Sequence, residues 1–171
     1  MNEQMISQAV AEVLRGMNSG HDAHHHECKC KKHKMTLALA KSLIEKVEQK
    51  AKEIGLAAVI AVSDQAGRLT AVHVMDDAFI ASVDIAINKT FTSAGLKMST
   101  AELAKLALPG QPLYGIQHTN EGKIVIFGGG EPLVVEDKII GALGVSGGTA
   151  EQDTMLAAYG KEILKEVISC L

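Results

Sequence analysis

The densest chemistry in this 171-residue chain is one stretch, His21-Asp22-Ala23-His24-His25-His26-Glu27-Cys28-Lys29-Cys30-Lys31-Lys32-His33-Lys34. Imidazole and thiolate are good donors for zinc, copper or iron. His24, His26, Cys28, Cys30 and His33 are therefore candidate ligands of a transition metal. One residue separates Cys28 from Cys30, which is not the two-residue spacing of a zinc knuckle. A flexible donor cluster that takes up metal without a fixed geometry is the alternative reading.

Two further histidines stand alone. His73 falls on a predicted strand and His118 in a predicted loop, and neither has an Asp-His or Cys-His partner nearby in sequence. Gly144-Val145-Ser146-Gly147-Gly148 matches the nucleophile elbow of hydrolases between a strand and a helix. In that order of residues the histidine follows the serine, and here no histidine follows His118. Glycines that end a strand and open a helix are the better account. Gly128-Gly129-Gly130 either cradles an anion through backbone N–H groups or marks a bulge where another chain segment comes close. No Walker motif and no dinucleotide fingerprint accompanies it.

Three segments must carry these groups. Over residues 1–17, Met5, Ile6, Ala9, Val10, Val13, Leu14 and Met17 form a helical apolar stripe. So short a helix is marginal alone in water and needs a surface to lie on. Residues 18–34 read as a polar linker. Residues 35–171 read as one domain. Thr36 is the expected cap of a helix with Leu37, Ala40, Leu43, Ile44, Val47, Ala51 and Ile54 inward. Strands are expected at 57–63 and 68–75, helices at 79–96 and 100–107, and strands at 123–127, 133–135 and 138–145. A last helix runs from about 149 to 170. Short hairpin connections predict an antiparallel sheet of about five strands packed with helices, an α+β fold.

Hydrophobic residues make up 47% of the chain and charged residues 22%, a globular balance. A net charge of −3 and only 3% aromatic residues argue against a nucleic-acid partner. No apolar run is long enough for a transmembrane segment, and the first twenty residues lack the features of a secretory signal. Three cysteines, an odd number, argue against a disulfide framework and for a reducing cytoplasm.

The domain resembles the GlcG-like, haem-degrading family, which also supplies the C-terminal half of PduO-type proteins. The residues that carry the resemblance are Val62-Ser63-Asp64, Gly67-Arg68-Leu69, Met75-Asp76-Asp77-Ala78, Ile85-Ala86, Lys89-Thr90 and Thr92-Ser93-Ala94. Pro109 to Ile116, Gly128 to Leu133, Gly141 to Gly148 and Glu151-Gln152-Asp153 complete it, in order, over about residues 35–170. The resemblance implies a profilin- or PAS-like fold, homo-oligomers and bound haem, with an axial ligand that is not uniform in the family. It does not extend to the adenosyltransferase half of PduO, so corrinoid adenosylation is not implied. The family often has Arg just before Met-Asp, where this chain has His73-Val74. His118 and His73 are candidate axial ligands by chemistry. Arg68 and Lys89 are candidate propionate partners, and Gly128, Gly129 and Gly130 allow close approach of a flat ligand.

The stripe within residues 3–17 resembles the encapsulation peptides of bacterial microcompartment cargo, which implies docking on shell or cargo proteins and a place in the compartment lumen. Arg15 is its one cationic side chain, too few for a membrane-surface helix. The expected function is a haem-binding accessory protein for storage, buffering or redox sensing. Two alternatives stand beside it. One is an enzyme acting on a small organic acid or aldehyde, or degrading haem, through Asp64, Lys89, Ser146 or Asp153. The other is a structural cargo protein without a ligand.

Overall fold

A computed structural model of the chain describes residues 34–171. The stripe at 3–17 and the tract with His24, His26, Cys28, Cys30 and His33 lie outside the described residues.

Helix α1 (Leu37–Glu53) begins where the Thr36 hydroxyl accepts the Leu39 N–H at 3.2 Å. Its buried face is Leu39, Ala40, Leu43, Ile44, Val47 and Ala51. Leu37, expected inward, is exposed, because buried Met35 lies against Gly141 and already fills that end of the core. Gly55, with φ of +69°, turns the chain out of the helix.

Strands β1 (Val59–Asp64) and β2 (Leu69–Val74) form a hairpin. Asp64 Oδ1 accepts the N–H groups of Ala66 at 2.8 Å and Arg68 at 3.0 Å, and so shapes the turn. Helices α2 (Ile80–Leu96) and α3 (Thr100–Leu106) follow, the latter opened by a capping box between Ser99 and Glu102. Strands β3 (Gly130–Val135) and β4 (Lys138–Ser146) are joined by Glu136 and Asp137, both at positive φ, a turn whose twist suits a hairpin. A second capping box, Thr149 with Gln152, opens α4 (Ala150–Ser169).

The sheet runs β2-β1-β4-β3 and every neighbouring pair is antiparallel. It has four strands among the described residues, not about five. Residues 123–127 form no strand, because a side chain of α2 holds their backbone. Thr92 Oγ1 accepts the Val125 N–H at 3.0 Å and lies 3.3 Å from the Lys123 carbonyl. The triple glycine therefore leads into β3 and does not interrupt a strand.

Alternation along β1 sorts the core into two layers. Ile60 and Val62 pack with α1 and α4, whereas Val59 and Ala61 face Ala86 of α2 on the other side. The sheet thus lies between α1 and α4 on one face and α2 on the other. The α2 layer is thin. Gly130 and Gly144 are paired in register, and a Cβ at Gly144 would overlap the Ala86 carbonyl. A Cβ at Gly130 would lie 2.7 Å from Ser93 Oγ and 2.9 Å from the Lys89 carbonyl. The two glycines let the helix backbone settle directly on the sheet.

Candidate functional site

The close approach of α2 drives one long cation into the interior. Lys89 is fully buried. Its Nζ donates to the Val145 carbonyl at 2.7 Å and to Asp153 Oδ2 at 2.8 Å. Asp153, in the first turn of α4, also accepts the Gly148 N–H at 3.0 Å. The Phe127 ring covers the ammonium, its centroid 4.8 Å from Nζ. Burial pushes the lysine below its ordinary range, and the bond and charge of Asp153 oppose that shift. The pair is thus an internal tie between α2, β4 and α4, with the ammonium already supplied with partners.

Gly129 lies in the wall of this site. A Cβ there would come 2.6 Å from Lys89 Nζ and 2.7 Å from the Val145 carbonyl. Gly128 packs against Thr154. The triple glycine therefore makes room for the lysine and for α2. Outside it, Phe127, Gly128, Ala101, Ala104, Thr154 and Met155 line a shallow hollow of about 500 Å³.

The two lone histidines differ in setting. His73 is half-buried on β2 and faces α1, where its Nδ1 lies 3.3 Å from Glu48 Oε2. Ala71 and Met75, two residues to either side, pack into the same layer, and Leu69 continues that face with 46% exposure. His118 is exposed at the end of a 3₁₀ turn (Ile116–His118), and its Nε2 lies 3.3 Å from the side-chain amide of Gln117. Arg68 is exposed and paired with Asp64 at 2.8 Å, so it braces the β1–β2 turn.

Ser146 is buried and donates to the Ser82 hydroxyl at 3.2 Å, an arrangement with no base beside it. The elbow reading fails on geometry as it does on order. Among the described residues no group of three or more His, Cys, Asp or Glu side chains is placed to hold a metal ion. Nor is any described helix long and apolar enough to cross a membrane. Sequence reading missed Glu48 and Phe127. Each acts on a residue far away in the chain, and no local spacing announces it.

Fold and site together define a small α+β domain with helices on both faces of an antiparallel sheet and a lysine–aspartate tie at its centre. The chain belongs to the family of the haem-degrading protein HbpS, whose model matches residues 35–162. It is 46% identical over 133 residues to an uncharacterized 15.0 kDa protein in the dhaT-dhaS intergenic region of Citrobacter freundii, covering 78% of this chain and 94% of that one. It is 39% identical over 108 residues to the corrinoid adenosyltransferase PduO of the same organism, covering 63% of this chain and 32% of that one. The chain thus spans about a third of PduO. The crystal structure of a PduOC:haem complex superposes with a TM-score of 0.73 at 32% identity, covering 75% of this chain and 94% of that one.

Proposed function

We propose that this protein binds haem through its domain, as an accessory protein that stores, buffers or senses the group. The observation that carries this reading is the likeness to a relative crystallised with haem, at 32% identity over three quarters of the chain. The residues present fit the group. Haem needs an axial donor and an apolar surface for its ring. His73 offers a half-buried imidazole on the strand face where Leu69 is 46% exposed, while Ala71 and Met75 of the same face pack against the core. His118 offers a second imidazole, more exposed. When bound, haem would supply an iron centre that takes up one electron or a small ligand.

His73 is the preferred ligand, because its ring is held from behind by Glu48. Arg68 is the accessible cation for a propionate, since its side chain is exposed beside Asp64 whereas Lys89 is fully buried against Asp153. Gly128, Gly129 and Gly130 serve the haem reading indirectly, by holding the domain's shape. The tract with His24, His26, Cys28, Cys30 and His33 remains a separate candidate for a transition metal or for iron. Residues 3–17 are proposed to dock on shell or cargo proteins of a bacterial microcompartment, which places the protein in its lumen as a homo-oligomer. Deleting residues 3–17 should abolish co-purification with shells, and retention by the shortened chain would sink the targeting idea.

The test is a haemin titration of the full chain, followed by its visible spectrum. His73→Ala, His118→Ala and a variant with the five tract ligands replaced are titrated beside it. A saturable, shifted Soret band that survives replacement of the tract puts the site in the domain. Loss of the band in the tract variant alone would move the site to the linker. No saturable shift in the native chain would overturn the haem reading.

A further inference from the structure

Resting on the reading of His73 as the haem ligand, we infer that Glu48 of α1 is a positioning residue for the iron-binding imidazole: it holds the proton on Nδ1 and turns Nε2 outward as the donor.

Donor and acceptor roles set which ring nitrogen carries the proton. An ionised carboxylate only accepts hydrogen bonds. Glu48 Oε2, 3.3 Å from His73 Nδ1, therefore selects the form of the ring with its proton on Nδ1. The lone pair then resides on Nε2, and among the described residues the ring makes no second hydrogen bond. A histidine that binds a metal needs this arrangement, and a carboxylate behind it raises its strength as a donor. The two side chains sit on different elements, Glu48 on the α1 helix and His73 on the β2 strand, so packing of the helix on the sheet sets the ring's direction. Glu48 and His73 keep side-chain exposures of 22% and 32%, so the pair is partly withdrawn from water. His118 lacks such a brace, since its neighbour is an amide and no carboxylate.

The full chain is titrated with haemin as wild type, Glu48→Gln, Glu48→Ala and His73→Ala, and the Soret band, the dissociation constant and the reduction midpoint of bound haem are read. Glu48→Gln can still accept from Nδ1 but lacks the charge, and should raise the midpoint and weaken binding by roughly tenfold. Glu48→Ala should weaken it further, up to about a hundredfold, in line with the loss of a metal ligand's hydrogen-bond partner. His73→Ala should lose the shifted Soret band. Unchanged thermal unfolding of the haem-free Glu48→Gln variant would assign the shift in midpoint to the iron and not to folding. A midpoint and affinity equal to wild type in both Glu48 variants would overturn the role of Glu48 while haem binding stands. A Soret band that persists in His73→Ala would overturn the role of both residues. Absence of a saturable Soret shift in the wild type would overturn the haem reading, and this inference with it.

Discussion

Lys89 Nζ lies 2.8 Å from Asp153 Oδ2 across 64 residues of chain, and both side chains are buried. The contact joins a helix on one face of the sheet to the first turn of a helix on the other. An isolated charge in that position would be costly, so each partner is the condition for the other.

Removing one member should therefore be severe. Lys89→Met or Asp153→Ala alone should cost about 3–5 kcal/mol, read from the urea midpoint at constant slope. The double substitution Lys89→Met with Asp153→Leu should recover much of that loss, because no charge is left uncompensated. A double variant as weak as the sum of the single ones would contradict the ion-pair account.

The glycines under α2 predict a second contrast. Gly144→Val drives its side chain into the Ala86 carbonyl and the Thr90 backbone, and should cost about 1–3 kcal/mol or more through forced displacement of α2. Gly55→Ala meets nothing within 4 Å but must adopt a φ of +69°, so its cost of about 1–2 kcal/mol is purely conformational. Thermal unfolding of the two variants should rank them in that order.

Thr92 holds residues 123–125 without a strand. In Thr92→Val the Val125 N–H loses its acceptor inside a buried segment, which should cost about 1–3 kcal/mol. Hydrogen exchange at the Val125 amide should accelerate more than exchange at the amides of β3. Equal acceleration everywhere would mean that the segment is held by packing instead.

Two carboxylates predict the acid limb of stability. Burial works to raise Asp64, but hydrogen bonds from the Arg68 and Ala66 amides and the Arg68 guanidinium outweigh it, leaving the group below its ordinary 3.8. Hydrogen bonds from the backbone and then the hydroxyl of Ser99 hold Glu102 below its ordinary 4.5. Both values are depressed by folding. Their contribution is thus present above those ordinary values and lost as pH falls through the lower folded ones. Unfolding midpoints measured down the acid range should fall less steeply for Asp64→Asn with Glu102→Gln than for the wild type.

Much of the architecture was legible in the chain. Thr36 and Thr149 announce helix starts because a cap is a contact within three residues. Glu136-Asp137 and the Asp64 turn announce hairpins for the same local reason, and the apolar periods of α1 and β1 locate the core. Residues 123–127 misled, since an apolar run reads as a strand whether its backbone pairs with a neighbouring strand or with a threonine side chain. His73 and His118 were visible as donors, but nothing in their spacing distinguished them.

The sequence by itself determined the kinds of element, their order and most of their ends, because capping, turn chemistry and side-chain periodicity act over a few residues. Tertiary structure alone decided which charges would be buried and which imidazole would be braced. Lys89 met Asp153, and His73 met Glu48, only once helices had packed on the sheet. The free energy of a buried charge or an oriented ring depends on partners that the chain brings together from far apart.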